Sequence, residues 1–441
     1  MKILICNTAA VTLDGERSIL PEVDIAIEDG RILSVGNTPG DFKAERVIDG
    51  SGYAASPGFF NTHTHSAMTL ERGWAEDLPF DRWLNEKIWV AEGALEKEDV
   101  YWGAALACCE MIRSGTVGFA DHYFWMDETA RAVSESGMKA LLAWCQFGIG
   151  KDKEVGGITL EDTVDFIKKY HNSEEGRIKC FLGPHSPYMC PPDFLKKIVK
   201  AAGDLNVGIH LHLSESDDQV KNSLKAYNKT PVEHLKSLGV FDHNCIAAHC
   251  ISVSDNDISI LAEKKVNIAH TPKTYMKLAM GMAPLDKFIN AGINVGLGTD
   301  GPASNSDLNM LEVLRITGLV HKNRLLDPSA FPINELLKMA AQAGAKAMGF
   351  EDTGVLKPGA SADIVLFNTQ KTHWAPRHDI SANIVYSSHP SDIEYVICNG
   401  RIILDKGQIM TFDEEKVKYE AERRAFRMTA RPMHLVRSYK A

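Results

Sequence analysis

Two histidines one residue apart, His63 and His65, follow the apolar, proline-marked approach ASPGFF. Side chains alternate between the faces of a strand, so both imidazoles point the same way and could share a metal ion, although solvated strands carry such pairs too. Other apolar runs also end in polar residues: His185 in PHSPY, His212 and Glu215 in HLHLSE, His249 in AAHC, His270 in IAHTPKT and Asp300 in GLGTDGPASN. A single histidine at a strand end is ordinarily a hydrogen-bonded core residue. The same placement at one strand end after another points to a common site.

Three imidazoles and a carboxylate suit a divalent transition metal with an open position for water. We assign His63, His65, His212 and Asp300 as ligands of one such ion, with zinc the first choice and iron, manganese or cobalt as alternatives. Asp300 counts among the catalytic residues as well. A bound metal would bring the pKa of water from its bulk value to about 7 and so supply a nucleophile at neutral pH. Glu215, on the loop that leaves its strand after His212, is placed to take the proton of that water and deliver it to the substrate; its alternative is a solvated loop carboxylate. His249 would orient the attacking oxygen or polarise the substrate. His210 competes with His212 as a ligand, because the two share a strand face, and only His212 gives the H-x-x-E spacing.

Something must bring these distant residues together. The chain has 441 residues, 44% of them hydrophobic, enough for a large core and a smaller companion. From 58 to 355, β-rich runs alternate with helical patterns. Counting a strand at 54 to 62, eight such strands fit an α/β fold of the (β/α)8 TIM-like barrel type, whose strand ends carry chemistry; a doubly wound open sheet has the same alternation. Short alternating segments at 1–57 and 356–412, with Asp-Gly and Asn-Gly turns, are expected to join in a small β-sandwich domain, and 413–441 to form a helical tail. The net charge of -10, without long runs of one sign, argues against nucleic acid and for a small neutral or cationic substrate. With no signal-peptide core at the start and no apolar run of membrane-spanning length, the expectation is a cytoplasmic protein without a membrane partner. The nine cysteines, with no C-x-x-C pair, are expected to be reduced and mostly buried. Self-association is left open, with Trp89 and Trp125 as interface residues or as core packing.

Taken together, PGFFNTHTH, GPHSPY, HLHLSE, AAHC, MKLAMGMAP and GLGTDGPASN resemble the amidohydrolase superfamily, and within it the S-adenosylhomocysteine and 5′-methylthioadenosine deaminase group. The likeness spans nearly the whole chain, including both β flanks and TGVLKPGASADIVLF. It implies one metal ion held by His63, His65, His212 and Asp300, proton transfer by Glu215, His249 beside the attacking oxygen, and a substrate contact from His185. The stretch LPFDRWLNEKIWVAEG is similar to the family's loop after the first barrel strand, where Trp83 would stack on a base and Glu92 would hold ribose hydroxyls. Without the resemblance, WLNEKIW reads equally as an amphipathic helix packing its tryptophans.

Departures from the pattern bear on the substrate. Family members that accept an amino-acid tail present arginines near the third barrel strand and in the segment after it. Here ALLAWCQFGIG and VGGITLEDT contain none, and Trp144 stands at one of those places. TPKTYMKL replaces a segment close to N-P-x-S-N, so Lys273, Thr274 and Tyr275 are expected to change the pocket wall. The reading is therefore a metal-dependent deaminase acting with water on a small molecule, first a 5′-modified adenosine, with guanine, pterin, cytosine or triazine as the alternative. Amide hydrolysis by a two-metal relative is disfavoured, because the family's bridging lysine has no counterpart: Lys179 lies near the start of its strand. A catalytically silent barrel is disfavoured because every ligand and Glu215 are present.

Overall fold

The computed structural model describes residues 1–15, 19–148 and 159–439. Eight parallel strands form the barrel in chain order: β6 (Phe59–Thr64), β7 (Thr116–Tyr123), β8 (Lys139–Gln146), β9 (Ile178–Pro184), β10 (Ile209–Leu213), β11 (Cys245–His249), β12 (Asn267–His270) and β13 (Val295–Leu297). Their residues are almost all buried, as befits strands covered on both faces, which is why they read as continuous apolar runs. At the seam between β13 and β6, the Asp300 N–H donates to the His63 carbonyl at 2.9 Å. The Thr299 N–H donates to Asn61 Oδ1 at 3.0 Å, and the Asn61 amide donates back to the Thr299 hydroxyl at 2.7 Å. Closing the seam brings the first and last predicted ligand strands side by side.

The helices around the barrel start where the sequence offers caps, with reciprocal capping boxes at Thr230 with Glu233 and Ser254 with Asp257. Helix Lys97–Arg113 packs unusually close to the turn that follows His65. A Cβ on Gly103 would sit 2.8 Å from the backbone of Ala67, so only glycine fits there.

The chain's two ends meet in one mixed nine-stranded sheet, made from β1 (Lys2–Val11), β2 (Ile19–Glu28), β3 (Arg31–Gly36), β4 (Arg46–Asp49), β5 (Tyr53–Pro57), β14 (Ile364–Asn368), β15 (Ile393–Cys398), β16 (Arg401–Asp405) and β17 (Gln408–Ile409). It encloses its own core of Ile3, Ile5, Ile25, Ile27, Ile48, Ile364, Leu366 and Ile397, as the expected sandwich does. Its hydrogen bonding runs unbroken through β1, which pairs with β4 at one end and β5 at the other. The expected strand at 54–62 is two strands: β5 belongs to this sheet and β6 to the barrel, with the chain passing at Gly58, where a Cβ would collide with Val117. A buried ion pair, Lys139 with Asp363, ties the base of β8 to the sheet. Helix Glu414–Met428 docks on helix Lys97–Arg113 through Arg424 and Arg427 against Asp99.

All nine cysteines are free, and all but Cys6 are buried. No helix among the described residues is long and apolar enough to cross a membrane.

Candidate functional site

The ends of β6, β10, β11 and β13 converge at one mouth of the barrel. One nitrogen each from His63, His65 and His212 lie within 4.8 Å of one another, as do atoms of His63, His249 and Asp300. Asp300 Oδ1 is 3.3 Å from His65 Nε2 and 3.5 Å from His63 Nε2, and His212 Nε2 is 3.3 Å from His65 Nε2.

The outer nitrogens settle what the inner ones can do. His65 Nδ1 donates to the His122 carbonyl at 2.5 Å, and His212 Nδ1 donates to the His185 carbonyl at 2.9 Å. A carbonyl only accepts, so each Nδ1 carries the proton and each neutral Nε2 turns a bare lone pair toward the other. Two lone pairs facing at that distance repel unless a cation lies between them. His63 Nδ1 is 2.9 Å from His210 Nε2, and the matching assignment leaves His63 Nε2, buried and without a hydrogen-bond partner, aimed at the same centre. His210, the competing ligand, therefore stands behind His63 and supports it.

The charge balance agrees. Burial holds His63 down to about 3 despite the neighbouring carboxylate, and burial with surrounding imidazoles puts His212 well below its ordinary value, so both imidazoles are neutral at physiological pH. At His65 burial works downward and Asp300 upward, with a net rise: the centre attracts positive charge at that nitrogen. Burial alone would raise Asp300, but the His63 and His65 imidazoles beside it, with His249, hold it well below the usual carboxylate range. Gly301 N–H and the Ser304 hydroxyl fix its oxygens at 2.8 and 2.9 Å. This donor set fits a divalent metal ion.

Glu215 is nearly buried, with Oε1 3.7 Å from His249 Nε2 and Oε2 3.4 Å from the Gln219 amide, so it is no solvated loop carboxylate. Burial raises its pKa, partly offset by His249. His249 Nδ1 lies 3.1 Å from the Thr271 hydroxyl. Above these groups opens a pocket walled by Phe80, Trp83, Trp89, Phe124, Phe147 and Tyr188, with Glu92, Cys145 and His185 also facing it. His185 stacks on Phe147, with 4.9 Å between ring centroids. The segment Phe80–Glu92 is helical throughout, as the amphipathic reading of WLNEKIW has it, and it brings Trp83, Trp89 and Glu92 to the pocket.

Several expectations are corrected. Lys273 pairs with Asp307 and Glu312 at 2.7 Å each, Thr274 meets Ser304, and Tyr275 is buried behind His249, so these three do not form the wall; Leu278 does. Trp144 packs edge-on against Phe166, outside the pocket lining, and Cys145 faces inward in its place. Residues 149–158, which complete the arginine-free stretches, lie outside the described residues. His270 pairs with His321 at 3.0 Å instead of joining the centre. Lys179 lies at the far end of β9, over the Phe350 ring.

Two residues at the end of β7 escaped the sequence reading. Asp121 accepts the Ser66 N–H and hydroxyl, both at 2.7 Å, and His122 supplies the carbonyl that orients His65. They follow the run TVGFA just as the ligands follow theirs.

The family model described as the amidohydrolase family matches residues 54–403. A 5-methylthioadenosine/S-adenosylhomocysteine deaminase of Pelotomaculum thermopropionicum is 44% identical over 432 residues, 97% of this chain and 99% of the relative. The crystal structure of an adenosine deaminase from Xanthomonas campestris with bound zinc superposes with a TM-score of 0.92 at 28% identity, over 97% of this chain and 98% of that one. An atrazine chlorohydrolase from Arthrobacter aurescens, complexed with zinc, gives 0.88 at 26% identity over 96% and 100%. With the family match covering most of its length and the barrel, donor set and pocket described above, the chain belongs to the amidohydrolase family.

Proposed function

We propose that the protein is a metal-dependent aminohydrolase that replaces the exocyclic amino group of an N-heterocycle by oxygen, with a 5′-modified adenosine as first substrate. One observation carries this reading: the inward nitrogens of His63, His65 and His212 and the Asp300 carboxylate meet at the floor of an aromatic pocket where Glu215 and His249 face each other. These four ligands would hold a zinc ion, the metal in both structural neighbours named above, and its chemistry there is to make water a nucleophile at neutral pH.

The chain's own residues do the rest. Glu215, its pKa lifted by burial, accepts a proton from the attacking water and passes it to the ring nitrogen beside the amino-bearing carbon. A second proton leaves with the amine as ammonia, and the keto form of the ring remains. Gln219 keeps the Glu215 carboxylate turned inward. His249 holds the incoming oxygen on the face of the ring. Trp83 stacks on the base, Glu92 accepts from sugar hydroxyls, and His185 contacts the substrate. Among the described residues, no arginine or lysine lines the pocket, which favours an apolar 5′ substituent over an amino-acid tail.

The test is Glu215→Gln, which conserves shape. The expected kcat for ammonia release falls by about 10²- to 10⁴-fold with metal content unchanged. Near-wild-type turnover would remove Glu215 from its role. A panel of 5′-methylthioadenosine, adenosine, S-adenosylhomocysteine, guanine and a triazine addresses the substrate, and turnover confined to the last two would overturn the nucleoside assignment.

A further inference from the structure

His249 ends β11 in an unusual conformation. Its φ is +75° and that of Cys250 is +52°, two successive non-glycine residues in the left-handed region. Such a turn needs surroundings that hold it. Those surroundings come from TPKTY. The Tyr275 ring is fully buried, with its centroid 5.9 Å from that of His249 and 5.4 Å from that of His270. Its hydroxyl accepts the Thr271 N–H at 3.0 Å and donates to the His249 carbonyl at 3.2 Å. Burial pushes the phenol far above its ordinary range, so the hydroxyl keeps the proton it donates. The Thr271 side chain closes the loop from the other side, its hydroxyl 3.1 Å from His249 Nδ1.

One phenol thus bonds the backbone of His249 and the backbone of the residue that holds its imidazole. We propose that Tyr275, acting through Thr271, is a positioning residue that clamps the strained end of β11 and so sets His249 Nε2 opposite Glu215 and the reacting carbon. Tyr275 touches neither substrate nor ligand atoms. Its effect passes through the placement of His249, where a displacement of about 1 Å can cost on the order of 10²-fold in rate. Without the hydroxyl, a buried carbonyl and a buried amide lose their shared partner, and the left-handed turn is free to relax. The segment that looked like a pocket wall therefore tunes the rate of the reaction and leaves substrate affinity alone.

This inference rests on the role given to His249 above, and the experiment separates the two. Metal-quantified Tyr275→Phe, His249→Gln and the double variant are compared by steady-state ammonia release. Tyr275→Phe is expected to lower kcat by about 10- to 100-fold, with KM within about twofold and metal content unchanged. The double variant is expected to be no slower than His249→Gln alone, because a clamp has nothing to position once the imidazole is gone. Should Tyr275→Phe fail to fold, Thr271→Val breaks the same clamp at the imidazole and is expected to show the same kcat-only loss. An unchanged kcat in the folded clamp variant, a loss confined to KM, or losses that multiply in the double variant would each overturn the clamp. Full activity in His249→Gln would overturn the role of His249 and the clamp together, whereas a slow His249→Gln beside a fast Tyr275→Phe overturns the clamp alone.

Discussion

Removing the Asp121 carboxylate should loosen the metal site without touching a ligand. Asp121 ends β7 beside β6, and its two oxygens take the N–H and the hydroxyl of Ser66, each at 2.7 Å. The next residue, His122, takes the His65 Nδ1 proton on its carbonyl. The end of β7 therefore grips both His65 and the residue after it. Hydrogen bonds to a charged group contribute about 1.5–3 kcal/mol each, so Asp121→Ala puts about 3–6 kcal/mol of local restraint at stake and strands two buried donors. Much of that is recovered by relaxation, and the part that reaches the site is the misplacement of His65. Outer hydrogen bonds of this kind typically change metal affinity by about 10- to 100-fold, and Asp121→Ala should fall in that range. Asp121→Asn keeps one acceptor oxygen for the Ser66 amide and should lose less, about tenfold at most. The assay is competition for zinc with a chromophoric chelator at neutral pH, with circular dichroism to confirm folding. Wild-type affinity in a folded Asp121→Ala would refute the claim that β7 orients His65.

Glu92 faces the pocket, while Glu71 is buried with both oxygens unpartnered. Burial raises both carboxyls, with Glu92's charge adding to the rise at Glu71 and with Tyr123 and His65 pulling Glu92 back. If ionised Glu92 accepts from sugar hydroxyls, KM for adenosine should climb as pH falls through that raised pKa. The climb should be absent for 2′,3′-dideoxyadenosine; identical KM profiles for the two nucleosides would sink the assignment. Burial alone would raise Asp363, but Lys139 and hydrogen bonds from Thr353 and Asn399 hold it below its ordinary value. A depressed carboxylate stabilises the fold above its unfolded pKa of about 3.9 and loses that contribution as pH falls toward the folded value. Lys139→Met should therefore cost about 3–5 kcal/mol at neutral pH, seen as a lower unfolding temperature, and the gap to wild type should narrow below about pH 4. Equal unfolding temperatures at pH 7 would show that the pair does not hold the sheet to the barrel.

The convergence of His63, His65, His212 and Asp300 was legible because each stands directly after the apolar run that becomes its strand, so the signal is local in the chain. The same rule applied to TVGFADHY marks Asp121 and His122 as well, although an aspartate after a strand also reads as a turn. What they touch was beyond reach, since Ser66 is 55 residues from Asp121 and their contact exists only once β6 and β7 pair. TPKTY failed for a different reason. Lying beside His270, the segment looked like continuous pocket wall, but residues Pro272–Lys277 form a helix, and successive side chains on a helix leave in directions about 100° apart. Lys273 accordingly reaches Asp307 and Glu312, Thr274 reaches Ser304, and Tyr275 turns beneath His249. Three adjacent residues serve an ion pair, the hydroxyl that holds Asp300, and the backbone of β11. A substitution beside a ligand in sequence thus bears on the reaction through whichever strand end its side chain meets, and a change in specificity does not follow from its position alone.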